Sequence, residues 1–200
     1  PDYFSQEYQN ALREHNEEVS EYIEDKNVNA RVSSSKVLAV PLYQQELTYY
    51  CGPASVQMVL SYINNRSYSQ DYLAGQMNMN GSGAYVYQVA NCLNNLMYSG
   101  TQYNYYEVYN TIFANNVVYS LDNDRPVVAH VKGSRLPAGG SNSGHYVVIK
   151  SYYHSGNPSN ASIAYNDPHY NNTYYGSHTG TISQMENAVS AQAGFYISAQ

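Results

Sequence analysis

The hydrophobic pattern of this 200-residue chain changes its period partway along, and that change is what most constrains the fold. In the first half, apolar residues recur at steps of three and four, the spacing of helices with one buried face. From Tyr103 onward most segments are short, rich in Val, Ile and Tyr, and separated by Gly, Asn and Ser turns. Helices first and mostly strands afterwards predict an α+β fold, with the break near Asp124-Arg125-Pro126.

Residues 1–36 are predicted to be an amphipathic helix followed by a Ser-rich linker at Ser33-Ser34-Ser35. One helical stripe, opposite an acidic face, consists of Phe4, Tyr8, Leu12, His15, Val19 and Tyr22. Two interpretations stay open for this helix. Either it is an added element that packs on the domain, or it is a pro-segment or tether that interacts with the domain.

Residues 37–200 are predicted to form one domain, with a helical lobe over 37–123 and a sheet lobe over 124–200. Helices are expected to begin near Cys51, at a Ser69 cap and near Ala84, and again over residues 111–124 and 183–191. Strands or extended segments are expected over residues 37–43, 101–108, 126–131, 144–153, 161–167 and 194–199.

The amino-acid composition limits which binding partners and which cellular location are expected. Asp, Glu, Lys and Arg make up only 12% of the chain and no basic stripe is present, which excludes nucleic acid as the expected partner. No run approaches the roughly 18 apolar residues of a membrane span. A Tyr- and Asn-rich, Lys-poor chain favours a secreted or cell-surface protein. Without an initiating Met or a signal peptide, it is expected to be a processed or trimmed form.

The two cysteines, Cys51 and Cys92, are too few for a disulfide framework or a zinc cluster, so each is judged alone. Cys92 lies beside the buried face of a predicted helix and is expected to be a core thiol. Cys51 lies where a helix begins, and the unpaired N–H groups there favour a thiolate. Gly52 leaves room for a carbonyl group to approach, so a nucleophile is the leading hypothesis, with a Cys51–Cys92 disulfide as the alternative.

A nucleophilic thiolate needs a histidine that activates it and protonates the leaving group. His145 is the best candidate, because Gly144 precedes it and a rigid core strand follows, while His169 is the fallback. His130 sits inside an apolar strand and is expected to be structural. The other three histidines are weaker candidates. His15 belongs to the separate N-terminal helix, and His154 and His178 are expected to be exposed in loops.

The remaining groups of such a site are an acid that orients the histidine and a donor for the oxyanion. Only Asp167 and Glu186 follow His145 in the chain, and Asp167 is favoured because it ends a strand while Glu186 belongs to a predicted surface helix. Gln44 and Gln45 both qualify by type as the oxyanion donor.

These residues, in this order, resemble those of papain-like cysteine peptidases, specifically the C39 peptidase group and its stand-alone C39-like relatives. That family has a Gln six positions before the Cys, a Cys-Gly-x-Ala-type helix start, a His-Tyr-Val-Val-like strand and an Asp-Pro after the next strand. The matching residues are Gln45, Cys51-Gly52-Pro53-Ala54-Ser55, His145-Tyr146-Val147-Val148-Ile149 and Asp167-Pro168.

The resemblance implies a papain-like fold of a bacterial enzyme, in which a helical lobe carries the cysteine and an antiparallel sheet lobe carries the histidine and the acid. It further implies that Gln45 is the oxyanion donor, Cys51 the nucleophile, His145 the general base and acid, and Asp167 the orienting residue. The expected activity is hydrolysis of peptide or protein substrates without a metal or organic cofactor.

Two alternatives to hydrolysis stay open. The Gln-x5-Cys-Gly segment also resembles that of phytochelatin synthases, which implies acyl transfer at the same site. The second alternative is a non-catalytic papain-fold binding or adhesion module that uses Tyr-rich loops such as YNYYEVY and HYNNTYYGSH as its contact surface.

Overall fold

The computed structural model of the protein describes residues 5–29, 33–109 and 112–199. The helices in these ranges are α1 (Gln6–Asn29), α2 (Cys51–Ile63), α3 (Gln70–Gln76), α4 (Val86–Leu96), α5 (Phe113–Asp122) and α6 (Ile182–Ser190). The strands are β1 (Ser34–Val37), β2 (Tyr103–Glu107), β3 (Val127–Lys132), β4 (Gly144–His154), β5 (Ser162–Asp167), β6 (Gly176–Thr181) and β7 (Phe195–Ala199). Two short 3₁₀ turns lie at Gly133–Arg135 and Pro158–Asn160.

All these strands join one antiparallel sheet, in the order β2-β7-β3-β4-β5-β6, and β1 pairs with the far end of β4. The 11-residue strand β4 is its centre, because β3, β5 and β1 all pair with it. Val148 of β4 lies opposite Asn166 of β5. That register brings the beginning of β4 next to the end of β5, which is where the site described below lies.

Helices cover both faces of the sheet. Gly52 of α2 lies against the ring of Tyr146, while Phe113 of α5 packs edge-on against Tyr196 at 4.9 Å between ring centroids. Tyr146 pairs with His130 and Tyr196 pairs with the neighbouring Ala129. Since successive residues of a strand point to opposite faces, α2 and α5 lie on opposite sides of the sheet.

The N-terminal helix α1 packs on α5. His15 Nε2 lies 2.5 Å from Asn116 Oδ1, and the His15 ring stacks on Tyr106 at 4.5 Å between ring centroids. At the other end of α1, Lys26 donates to the carboxylate of Asp122. The apolar side chains buried along this face are Leu12, Val19 and Ile23.

The α+β class predicted from the period change is confirmed, as are most individual elements. Helix α2 begins at Cys51, and Ser69 caps α3 by accepting a hydrogen bond from the Tyr72 N–H at 3.3 Å. The stripe predicted on α1 is buried or half-buried where it is described, whereas Phe4 lies outside the described residues. In the described part of the chain, no helix is both long and apolar enough to cross a membrane.

Three expectations differ from the structure. Ser34 and Ser35 belong to β1 instead of a linker, because they pair with the end of β4. The segment GSHTGT, for which no strand is predicted, forms β6 by pairing with β5 along its length. The lobe boundary near residue 124 does not divide the sheet, since β2 precedes it and pairs with β7.

Candidate active site

Cys51 is the first residue of α2, and no side chain caps that end of the helix. Its thiol is free, as is that of Cys92, so the predicted alternative of a disulfide between them is wrong. A Cβ at Gly52 would lie 3.2 Å from Ala84 Cβ, so glycine permits the close approach of α2 to the segment before α4. Cys92 is a core thiol as predicted, and burial raises its pKa to about 12.

His145 and Asp167 form a buried pair on adjacent strands. His145 Nε2 lies 2.7 Å from Asp167 Oδ1, and the two residues are 5% and 0% exposed. The register of β4 against β5 makes them diagonal neighbours, which is within the reach of these side chains. The same Asp167 oxygen accepts a hydrogen bond from the backbone N–H of His169 at 2.8 Å.

The pKa of His145 shows how this pair acts on the cysteine. Burial by itself would lower that pKa, but hydrogen bonds to Asp167 and Cys51, together with the charges of these two groups, outweigh it and raise the pKa to about 10. His145 is therefore protonated at neutral pH. A protonated imidazole next to a thiol favours the thiolate, which is the reactive form.

Gln45 and Gln44 have different surroundings, although the residue type alone does not distinguish them. Gln45 is buried, its backbone N–H donates to Pro168 O at 2.7 Å, and its side-chain Nε2 donates to Leu47 O at 2.8 Å. One amide N–H of Gln45 remains for another acceptor. Gln44 Nε2 instead contacts acceptors of the loop after β5, namely His169 O, Tyr170 O and Asn172 Oδ1.

The structure thus brings together Gln45, Cys51 and His145 at a cavity of about 340 Å³, with Asp167 behind His145. Small and hydroxyl residues of two loops and of the beginning of β4 form much of its wall: Ser82, Gly83, Ser141, Ser143 and Gly144. No Asp, Glu, Lys or Arg is among the described residues that line it. The cavity can therefore place a neutral carbonyl compound next to the thiol without an ion pair.

The remaining histidines fall into three situations. His169, the fallback histidine, lies at the cavity, with its ring centroid 5.3 Å from that of His145. Its position two residues after Asp167 is a sequence feature from which this proximity could be predicted. Burial and the charge of His145 lower the pKa of His130 to about 4, so His130 is neutral. The expectation that His154 is exposed is wrong, because it ends β4, pairs with β1 and is buried. His178 is half-buried in β6.

A cysteine that begins a helix packed on an antiparallel sheet, with a histidine and an acid on neighbouring strands of that sheet, defines the papain-like class of folds. Within that class, residues 37–194 match the family model described as Peptidase_C39 like family, and the chain belongs to this family. In the ranges that the structure describes, no group of three or more His, Cys, Asp or Glu is placed to hold a metal ion.

Solved structures similar to this chain carry the same fold. The peptidase domain of Streptococcus ComA, a bifunctional ABC transporter involved in a quorum-sensing pathway, is 20% identical with a TM-score of 0.56 over 80% of this chain and 97% of that one. A double-glycine-motif protease from an AMS/PCAT transporter, in complex with the leader peptide, is 17% identical with a TM-score of 0.55 over 82% and 93%. Recombinant stem bromelain precursor is 10% identical with a TM-score of 0.50 over 80% and 66%. No curated protein matches this chain.

Proposed function

We propose that this protein is a cysteine peptidase in which Cys51 is the nucleophile, His145 the general acid and base, Asp167 the orienting residue and Gln45 the oxyanion donor. One observation carries the proposal: His145 is hydrogen-bonded to the buried carboxylate of Asp167 and lines the same cavity as the free thiol of Cys51. Membership of the Peptidase_C39 like family supports it.

The reaction follows from the positions of these groups. The Cys51 thiolate attacks the carbonyl carbon of a peptide bond, and the oxyanion accepts hydrogen bonds from the Cys51 backbone N–H and the amide of Gln45. His145 gives its proton to the leaving amine, which departs and leaves a thioester on Cys51. His145, now neutral, takes a proton from water as the water oxygen attacks the thioester carbon. The carbon–sulfur bond then breaks, which releases the acid product and restores the Cys51 thiolate next to protonated His145.

The proposed substrate is a peptide or a protein with uncharged residues next to the scissile bond. Its support is the cavity, whose described lining offers hydroxyl, amide and imidazole groups but no acid, Lys or Arg to pair with a charged side chain. A related structure holds a leader peptide, which shows that a peptide can bind this fold.

We also propose that the protein acts outside the cell or at its surface, and the support for this is the amino-acid composition alone. Detection of the protein only in the cytosolic fraction of its source cells would contradict that.

The decisive experiment compares wild type, Cys51→Ala and Cys92→Ala with iodoacetamide and with a peptide library. Both cysteines are buried, but Cys51 lines the cavity, whereas Cys92 is 1% exposed in the core. Cys51 is therefore expected to react with iodoacetamide in the native protein, while Cys92 reacts only after unfolding. Cys51→Ala should abolish hydrolysis, and the matched control Cys92→Ala should retain it. An unlabelled Cys51, together with unchanged hydrolysis by Cys51→Ala, would refute the proposal.

The same assay separates hydrolysis from the two other predictions. Transfer products that form when amine or thiol acceptors are added would show an acyl-transferring enzyme. A reactive Cys51 without turnover of any library peptide would favour a binding module instead.

A further inference from the structure

His169 lies in the loop after β5 and is a second histidine at the cavity. It is only 4% exposed, and it lines the cavity together with Cys51 and His145. The proton transfers of the proposed reaction use His145 alone, so they leave His169 without a role. A buried polar side chain beside a nucleophile needs an account of where its two ring nitrogens point.

The hydrogen bond at one nitrogen fixes the tautomer of the ring. The backbone N–H of Asn171 donates to His169 Nδ1 at 3.0 Å. A backbone N–H is always a donor, so Nδ1 must carry a lone pair, and the neutral ring must carry its proton on Nε2. Burial lowers the pKa of His169 and the charge of His145 lowers it further, against an opposing effect of Asp167, which favours this neutral form.

The ring is also held in one orientation. It stacks on Tyr170 at 4.7 Å between ring centroids and makes a T-shaped contact with Tyr174 at 5.1 Å between ring centroids. On the backbone, the His169 N–H donates to Asp167 Oδ1 and its carbonyl accepts from Gln44 Nε2. The Nε2–H direction is therefore set before any ligand arrives, which lowers the entropy cost of binding through it.

No hydrogen bond joins Nε2 to any residue of the described ranges, although the other polar groups of His169 all have partners. We infer that His169 is a substrate-binding residue whose Nε2–H donates a hydrogen bond to a carbonyl oxygen of the peptide in the cavity. The inference rests on the proposed peptidase function and adds a specific contact to it. A neutral donor suits a peptide carbonyl, which is itself neutral, in a cavity whose described lining has no Asp, Glu, Lys or Arg.

The experiment uses two variants that differ in the donor. His169→Phe keeps an aromatic ring between Tyr170 and Tyr174 but has neither the N–H nor the acceptor for the Asn171 N–H, whereas His169→Gln keeps a side-chain N–H donor and an oxygen acceptor. Both retain the backbone N–H that binds Asp167, so neither removes the support of the His145–Asp167 pair. The substrate is the peptide that the wild type cleaves fastest in the library, and iodoacetamide reports the reactivity of Cys51 independently of any peptide.

His169→Phe is expected to raise KM about 3- to 10-fold, the worth of one neutral hydrogen bond, with kcat and the alkylation rate of Cys51 within about twofold of wild type. His169→Gln should restore most of the loss in KM. In wild type, nitrogen-15 NMR of the imidazole groups at pH 7 should show His169 as the neutral tautomer protonated at Nε2.

Three results would overturn the inference. An unchanged KM in His169→Phe would show that Nε2–H does not contact the substrate. Slower alkylation of Cys51 in both variants would show a purely structural role. A His169 ring protonated at Nδ1 would contradict the tautomer. These outcomes leave the peptidase function intact if the wild type cleaves peptides, whereas a wild type that cleaves none refutes the proposed function and this inference with it.

Discussion

Replacement of Asp167 by Asn tests the proposed site most directly, because it changes the charge of the carboxylate and little else. Asp167 Oδ1 accepts hydrogen bonds from His145 Nε2 at 2.7 Å and from the His169 N–H at 2.8 Å. Its other oxygen, Oδ2, is buried and has no hydrogen-bond partner. An amide can therefore keep the first oxygen in place and put its NH₂ where Oδ2 was.

The magnitude follows from the hydrogen bond that loses its charge. A buried hydrogen bond to a charged group contributes about 1.5 to 3 kcal/mol, which corresponds to about one to two pKa units. The Asp167 carboxylate favours protonated His145, so its removal must lower the pKa of His145 from about 10. The activity lost on the alkaline side, where His145 loses its proton, should therefore begin about one to two pH units lower, while hydrolysis at pH 7 should change much less, because His145 stays mostly protonated there.

The assay is the pH dependence of Cys51 alkylation by iodoacetamide and of kcat/KM between pH 5 and 11. The matched control is Glu186→Gln, which replaces the other acid after His145 by its amide in α6, outside the cavity lining. The control should leave both profiles unchanged. If the pH profiles of Asp167→Asn fall at the same alkaline pH as those of wild type, the reasoning is refuted. The Asp167 carboxylate would then not raise the pKa of His145.

Further predictions concern the oxyanion donor, a glycine and the dependence of stability on pH. Gln45→Ala should lower kcat about 100-fold without changing the alkylation rate of Cys51, and an unaltered kcat would exclude Gln45 as the oxyanion donor. Gly144→Ala would place a Cβ 2.6 Å from Gln192 Nε2 and 2.9 Å from His130 Nε2, so urea denaturation should show a loss of about 1 to 3 kcal/mol. If Gly144→Ala/Gln192→Gly is no more stable than Gly144→Ala, the clash with Gln192 is not the cause. His130 has a pKa of about 4 in the folded state, below the 6.5 of an ordinary histidine, so the unfolded chain takes up its proton first. The free energy of unfolding should fall as the pH drops from about 6.5 to 4, by about 2 to 3 kcal/mol, and His130→Phe should flatten that fall.

Hydrophobic spacing suffices to predict the elements that build the core around the site. The stripe after Cys51 gives α2, and the Val- and Ile-rich run after His145 gives β4, because burial of these side chains depends on local periodicity. The position of Cys51 at the beginning of its helix follows from the same stripe. Local sequence does not distinguish Gln45, which lines the cavity, from Gln44, which binds the loop after β5. The Gln44 contact with His169 is 125 residues away in the chain, so no local pattern contains it.

Strands that form mainly because a neighbouring strand pairs with them cannot be predicted from the local sequence. The segment GSHTGT has none of the β-branched or aromatic run that signals a strand, yet it forms β6 because β5 pairs with it. Ser34 and Ser35 likewise become a strand by pairing with His154 and Tyr153. The burial of His154 follows from that pairing, so an assignment of β1 as a linker necessarily makes His154 look exposed.

The N-terminal helix can now be judged by what it touches. Its contacts are with α5 and its neighbours: His15 with Asn116, and Lys26 with Asp122, whose carboxylate also accepts from the hydroxyl of Tyr152 on β4 at 2.7 Å. No residue of α1 is among the described residues that line the cavity of Cys51. Because α5 lies on the sheet face opposite α2, a helix anchored to α5 covers the back of the sheet. The contacts therefore favour an added packing element over a pro-segment that blocks the cavity.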